Sequence, residues 1–212
     1  MLQDDFAVEP IKGLPGLPPE GEEILWQGHP NWWALSKDSL NIYWVFSYFF
    51  LLALWRFLTL YDVSGSGHAF AVAIPFVLLG LATCSILALI AYIQARCTVY
   101  TITSKRVVLR IGAAITITIN LPYNKIVNAT LGLRGDGTGN ISFQLSEPRK
   151  FSFFILWPHS RPWKIAKPQP SFRSIDNPKE VASILAEAAK TEVNTPKLTK
   201  TLDASEVIVP AQ

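Results

Sequence analysis

From Ala69 to Ile93 the chain runs for 25 residues without a charged side chain (AFAVAIPFVLLGLATCSILALIAYI). As a helix rising 1.5 Å per residue, that stretch reaches roughly 37 Å, enough to cross a bilayer. A second apolar stretch of 21 residues, Asn41 to Tyr61, is interrupted only by Arg56. The polar linker Asp62-Val-Ser-Gly-Ser-Gly-His68 joins the two. Two apolar helices so closely joined are expected to form an antiparallel membrane hairpin with spans at about 41–61 and 69–93, because lipid requires each backbone group to be satisfied inside its own helix. A buried pair of soluble helices is the competing reading, and both stretches are long for it.

Orientation follows from lysine and arginine. Lys37 precedes the first stretch and Arg96, Lys105, Arg106 and Arg110 follow the second, while the linker carries neither residue type. Both termini are therefore expected in the cytoplasm, with the chain a multi-pass membrane protein. The first ten residues, MLQDDFAVEP, have no basic start and no apolar core, so no cleavable signal is expected. Tyr43, Trp44, Trp55 and Tyr61 suit the two interfaces. Arg56 is the intramembrane polar residue. It either snorkels towards the loop side, to Asp62 or headgroups, or faces a partner's helix. Gly80, Cys84 and Ala88 make a small-residue stripe that serves either such a partner or packing within the hairpin.

The formal net charge of +3 conceals a strong division. Residues 1–40 hold two basic and seven acidic side chains, whereas residues 94–175 hold twelve basic and two acidic ones. This divides the chain into an acidic N-terminal segment (1–40), a membrane hairpin (41–93), a basic domain (94–190) and a tail (191–212) that lacks periodicity and reads as mobile.

In the basic domain the apolar period changes to two. Ile115, Ile117, Ile119 and Leu121 alternate with polar residues, as do Val127, Ala129, Leu131 and Leu133, and Ile141, Phe143 and Leu145. These are expected to be three half-buried strands. Thr98–Thr103 and Val107–Ile111 suggest a hairpin, and Phe151–Trp157 another strand. The acidic segment, with a strand candidate at Ile24-Leu25-Trp26, is expected to pair with the basic domain by charge complementarity. A helix over 177–190 is announced by Asn177 as cap, Pro178 at its first position, Glu180, and the apolar stripe Val181, Ile184, Leu185 and Ala188. The expected fold is an α+β membrane protein: a two-helix hairpin, then a bent antiparallel sheet or partial barrel closed by one C-terminal helix.

Catalysis finds little support. Two cysteines and three scattered histidines do not make a metal centre. No nucleophile–base pair or carboxylate pair stands in an apolar setting. The glycine-rich run Gly132–Gly139 joins strand to strand and lacks the Gly-Lys-Ser/Thr ending of a phosphate loop. No enzyme, cofactor or metal is expected. The basic domain has no nucleic-acid recognition motif, so its partners are expected to be anionic headgroups, met by Arg96, Lys105, Arg106 and Arg110, or protein. Arg149, Lys150, Arg161, Lys164, Lys167 and Arg173 are interleaved with Trp157, Trp163 and four prolines. That segment is either a protein contact or an edge loop packed on the sheet.

Leu17–Gly28, with its Pro-Pro-x-Gly-Glu and Trp-Gln-Gly, is followed by His29-Pro30-Asn31-Trp32, by Cys97–Leu109 (CTVYTITSKRVVL) and by Leu156-Trp-Pro-His-Ser-Arg-Pro-Trp163. In this order they resemble the PuhB-type photosynthetic complex assembly proteins of purple bacteria. The Tyr-Thr-Ile-Thr-Ser-Lys-Arg part is shared with bacterial pleckstrin-homology-like membrane proteins. The resemblance covers about residues 14–190 and departs at Lys164, where arginine is expected. It implies a pleckstrin-homology-like β-sandwich on a membrane hairpin and a non-catalytic role in assembling the reaction centre and light-harvesting complex. It brings no catalytic residue. The partner-contact set is then Trp157, His159, Arg161, Trp163, Lys164 and Lys167, towards reaction-centre or light-harvesting subunits, with self-association left open. Pigment ligation by His68 or His29 is a weaker alternative, and a general sensor of anionic lipid or membrane stress is the competing class.

Overall fold

The computed structural model describes residues 11, 13–14, 16–113, 115–146, 152–162 and 164–194. Trp163, Arg149, Lys150, the first ten residues and the tail beyond 194 lie outside the described residues.

The β part consists of two antiparallel sheets. One has the order β1 (Ile24–Gly28), β2 (Val99–Thr103), β3 (Arg106–Ile111), β4 (Ile117–Pro122). The other is β5 (Ile126–Leu133), β6 (Thr138–Leu145), β7 (Ser171–Asp176). Tyr100, Ile102, Leu109, Ile119 and Leu121 of the first sheet share one core with Ile141, Phe143, Phe172 and Ile175 of the second. The C-terminal helix, Pro178–Asn194, closes this core with Val181, Leu185 and Ala188, all at most 5% exposed, as the apolar stripe in the sequence requires.

The acidic segment is built into this domain. Gln27 pairs with Thr101 and Gly28 with Tyr100 across the β1–β2 ladder. Glu22 binds Arg106 in bidentate fashion, Oε1 to Nε at 2.9 Å and Oε2 to Nη2 at 3.1 Å. The β2–β3 turn is closed by Thr103, whose Oγ1 accepts from the Lys105 and Arg106 amides.

Two short helices flank the apolar stretch or the second sheet. α1 (Trp32–Asp38) starts where Asn31 Oδ1 accepts from the amides of Trp33 and Ala34, both at 3.1 Å, a side-chain cap of the ordinary kind. α3 is Phe153–Leu156. This helix lies within the stretch Phe151–Trp157 expected as a strand, where the consecutive apolar residues Phe153–Leu156 carry no two-residue period to hold them in a sheet. β5 also departs from expectation. Val127, Leu131 and Leu133 are 64%, 38% and 52% exposed, because the C-terminal helix leaves an open groove of about 310 Å³ between Leu185 and Ala189 and the strand at Val127, Ala129 and Leu131.

The apolar stretch is one long helical element, α2 (Ile42–Cys97), with its backbone out of the helical region at Gly65 (φ 79°, ψ 164°). The seven-residue linker expected at 62–68 is thus contracted to a break at one glycine, which alone tolerates that φ without strain. Residues either side of the break meet. The rings of Phe57 and Phe70 lie 4.7 Å apart, and the Cys84 thiol points at the Ile42 carbonyl at 3.8 Å. A Cβ on Gly80 would come within 2.7 Å of Phe49 Cβ, so the small-residue stripe serves packing within α2. Arg56 is exposed on the outer surface, and among the described residues no ion pair joins it to Asp62. α2 is long and apolar enough to cross a membrane, and only 11% of its most apolar window is buried.

Candidate binding site

The end of α1, the start of α2 and the strand β7 meet around one carboxylate. Asp38, its side chain 8% exposed, binds Arg173 Nη2 through Oδ2 at 2.6 Å and Arg134 Nη2 through Oδ1. Asn140 Nδ2 donates to Oδ2 as well, at 3.1 Å. Arg173 is 2% exposed, and its Nη2 also reaches Ser39 Oγ at 3.0 Å. Burial pulls its pKa down to about 10. Burial likewise lowers that of Arg134. Beside them, Asp136 is held well below the usual carboxylate range, first by the hydrogen bond from Lys37 and then by the hydroxyl and amide of Thr138.

Next to this cluster runs a buried polar chain. The Arg173 amide donates to Tyr100 Oη at 3.1 Å, Tyr100 Oη lies 2.7 Å from His159 Nδ1, and His159 Nε2 lies 3.1 Å from Thr98 Oγ1. With the Tyr100 hydroxyl donating to Nδ1, the imidazole is neutral and donates from Nε2 to Thr98, so every group is satisfied. Burial, then the nearby Arg173 charge, pushes the His159 pKa down to about 3. Burial raises the Tyr100 phenol above its ordinary range.

A stability prediction follows. Unfolded His159 takes a proton near pH 6.5, whereas the folded one does not until about pH 3. The unfolded state binds more protons in that window, so this contribution is complete above pH 6.5 and is lost as pH falls towards 3. Between pH 7.5 and 5 the loss is about 2 kcal/mol. Denaturant midpoints of the detergent-solubilised chain should show it, and a His159→Asn variant should show a flatter slope over the same range.

These distances divide the residues singled out from sequence. His159, 1% exposed, is an internal anchor and cannot meet a partner; its two ring nitrogens are already engaged. Trp157 is 42% exposed, and Lys164 and Lys167 are exposed. Arg161 pairs with Gln169, backbone amide to carbonyl at 2.9 Å and Nη1 to Oε1 at 3.2 Å, so the segment loops back on itself. Of the membrane-surface set, Arg96 stacks over Tyr92 near the end of α2 and Arg110 is the ladder partner of Val99. Lys105 and Arg106 lie at the other end of β2, roughly 16 Å along the strand, where Arg106 is taken up by Glu22. The four charges are distributed over the end of α2, the β2–β3 turn and β3. The sequence reading missed β7 and with it the role of Arg173, which it grouped with the basic residues of the Trp/Pro segment as a protein contact or part of an edge loop.

A cleft of about 430 Å³ opens over the cluster, lined among others by Asp38, Ser39, Asn41, Trp157, Pro158 and Arg173. No group of three or more metal-ligating side chains occurs among the described residues.

A family profile described as Bacterial PH domain matches residues 42–189. A protein of Rhodobacter capsulatus described as an uncharacterized 23.7 kDa protein in the puhA 5' region is 40% identical over 200 residues, 93% of this chain and 94% of its own. A crystal structure of a DUF1696 family protein with a pleckstrin-homology domain, from Shewanella loihica, aligns with 43% of this chain and 71% of its own at 11% identity and a TM-score of 0.30. So slight a likeness carries no argument.

Proposed function

We propose, on the premise that this chain belongs to the Bacterial PH domain family, that it is a non-catalytic, membrane-anchored assembly factor for the photosynthetic reaction centre and light-harvesting complex. The two arms of α2 on either side of Gly65 cross the inner membrane as a hairpin with both termini cytoplasmic, and the basic β domain stands on the inner leaflet. The observation that carries the anchor is the exposure of α2: a soluble core helix of that apolarity would be mostly buried, and this one is not. The photosynthetic role is supported by the PuhB-type motifs and by the naming of the Rhodobacter capsulatus relative after its place in the puhA 5' region. Partner contact is assigned to the exposed part of the Trp/Pro segment, with Arg161 and Lys164 as its charges.

The test is a triple substitution, Arg161→Ala, Trp163→Ala and Lys164→Ala, in the native host. Reaction-centre absorbance should fall by about half or more while the membrane level of this protein is unchanged, a loss on the scale expected when central aromatic and arginine contacts are truncated. Unchanged absorbance at an unchanged membrane level would reject the assignment. The competing role, sensing anionic lipid without a protein partner, is favoured by the cluster of exposed apolar side chains at Phe154, Ile155 and Trp157. It is separated from the first by crosslinking in native membranes. Attached reaction-centre or light-harvesting chains support assembly, and their absence supports lipid sensing. The whole chain is required, because a fragment starting at residue 94 lacks β1 and Asp38.

A further inference from the structure

The C-terminal helix turns small side chains towards β5. Ala182, Ala186 and Ala189 line the helix side of the groove, and Val127, Ala129 and Leu131 the strand side. Alanine ends at Cβ, so about 310 Å³ stays unfilled and β5 is exposed from Val127 to Leu133.

β5 is also open along its second edge. β6 pairs with it on one side, and no strand among the described residues pairs with it on the other. Past a register shift between Ile126 and Asn128 its ladder is regular to Leu133. Its sequence, IVNATLGL, has neither a charged residue nor a proline, the residue types that keep an exposed edge from recruiting another strand. An apolar groove along such an edge is the form of a strand-addition site: the edge supplies backbone hydrogen bonds and the groove takes alternate side chains.

The same chain delivers a candidate strand to this place. A Cβ on Gly139, the ladder partner of Leu133, would come within 2.7 Å of Pro178 Cγ, so the helix starts beside the end of β5. It then runs back along the strand, and Val193 lines the groove one residue before the helix ends at Asn194. The residues that follow are TPKLTKTLDASEVIVPAQ, in which Val207-Ile208-Val209 is a β-branched run ended by Pro210. Such residues favour a half-buried strand, and alternation puts Val207 and Val209 on one face. The twelve residues 195–206 span at most roughly 40 Å, against about 17 Å of groove between Ala182 and Val193. A tether of this kind holds its end at an effective concentration of about a millimolar, so a contact too weak to form between separate molecules is filled within one.

We propose that Val207–Val209 adds to the open edge of β5 and seats Val207 and Val209 in the groove, covering in cis the apolar face that the C-terminal helix leaves bare. Neither the membrane anchor nor the Trp/Pro segment is involved.

Hydrogen exchange read by mass spectrometry tests this on the full chain in nanodiscs, where no free detergent competes for the groove. Deletion of residues 196–212, and separately Val207→Asp with Val209→Asp in the full chain, should speed exchange of the β5 amides by about tenfold or more. The β2 and β3 amides should keep their protection. If the deletion loosens β2 and β3 as well, the aspartate pair decides, because it removes no part of the described fold. β5 amides that exchange equally fast in all three proteins would overturn the proposal. Equally slow exchange in all three would overturn it too, since something other than this segment would then cover the strand; protection that rises with protein concentration would identify a second copy of the chain as that cover.

Discussion

An Asp38→Asn variant is expected to lose about 3–5 kcal/mol of folding stability, because it leaves two guanidinium groups without their shared counter-charge. Arg173 is the decisive one: its side chain is 3% exposed, so water cannot replace the carboxylate, whereas Arg134 at 30% recovers part of its hydration. For a domain of this size the unfolding midpoint should fall by about 12 °C or more, read in detergent by tryptophan fluorescence. The neighbouring pair Lys37–Asp136 provides the contrast. With side chains 21% and 35% exposed, it should cost far less when Lys37 is replaced by Ala, because water screens the pair. A double variant, Asp38→Leu with Arg173→Met, removes both buried charges and should recover much of the loss. Equal and small effects for Asp38→Asn and Lys37→Ala would mean that the cluster is solvated and its burial unimportant.

Phe172→Ala should be comparably severe, for a reason with no charge in it. The Phe172 ring is fully buried, stacks on Tyr100 at 4.5 Å and 21°, meets Phe143 edge-on at 5.1 Å and lies 5.9 Å from Trp26. It therefore joins its own strand β7 to β1, β2 and β6, and its removal leaves a hole at their junction. The lost transfer energy and the cavity together amount to about 3–5 kcal/mol. Phe172→Leu refills most of the volume and should cost under half as much. Denaturant midpoints for the pair decide the matter, and equal losses would show that ring stacking or strand pairing, not volume, sets the cost.

Where one face of an element is buried and the other wet, the order of residues was enough to read it. Val181, Leu185 and Ala188 announced their helix, and Ile119 with Leu121 announced β4. The readings failed where that contrast is missing. β7 is buried along almost its whole length, so SFRSID shows no alternation, and a buried arginine inside it looks like one more surface charge. Its counter-ion, Asp38, lies far away in the chain and at the end of a seven-residue helix that went unread, although Asn31 marks its start. β5 failed in the opposite sense: its alternation is real, yet the groove between it and the C-terminal helix leaves its apolar side chains uncovered. The pairing of the acidic segment with the basic body was legible from charge, while which carboxylate meets which arginine depended on the fold. His159 shows the limit most plainly. A histidine within a Trp/Pro/Arg run looks like a surface contact, and only the positions of Thr98 and Tyr100 reveal it as a buried strut.

The two ends of α2 are fastened within a few residues of each other in space. Its first residue, Ile42, comes three residues after Ser39, which is bound to Arg173, and its last is separated from β2 by Thr98 alone, which is bound to His159. Arg173 and His159 are in turn coupled through Tyr100. A shift at either end of α2 thus bears on the same hydrogen-bonded chain, which ties the setting of the long helix to the packing around Tyr100.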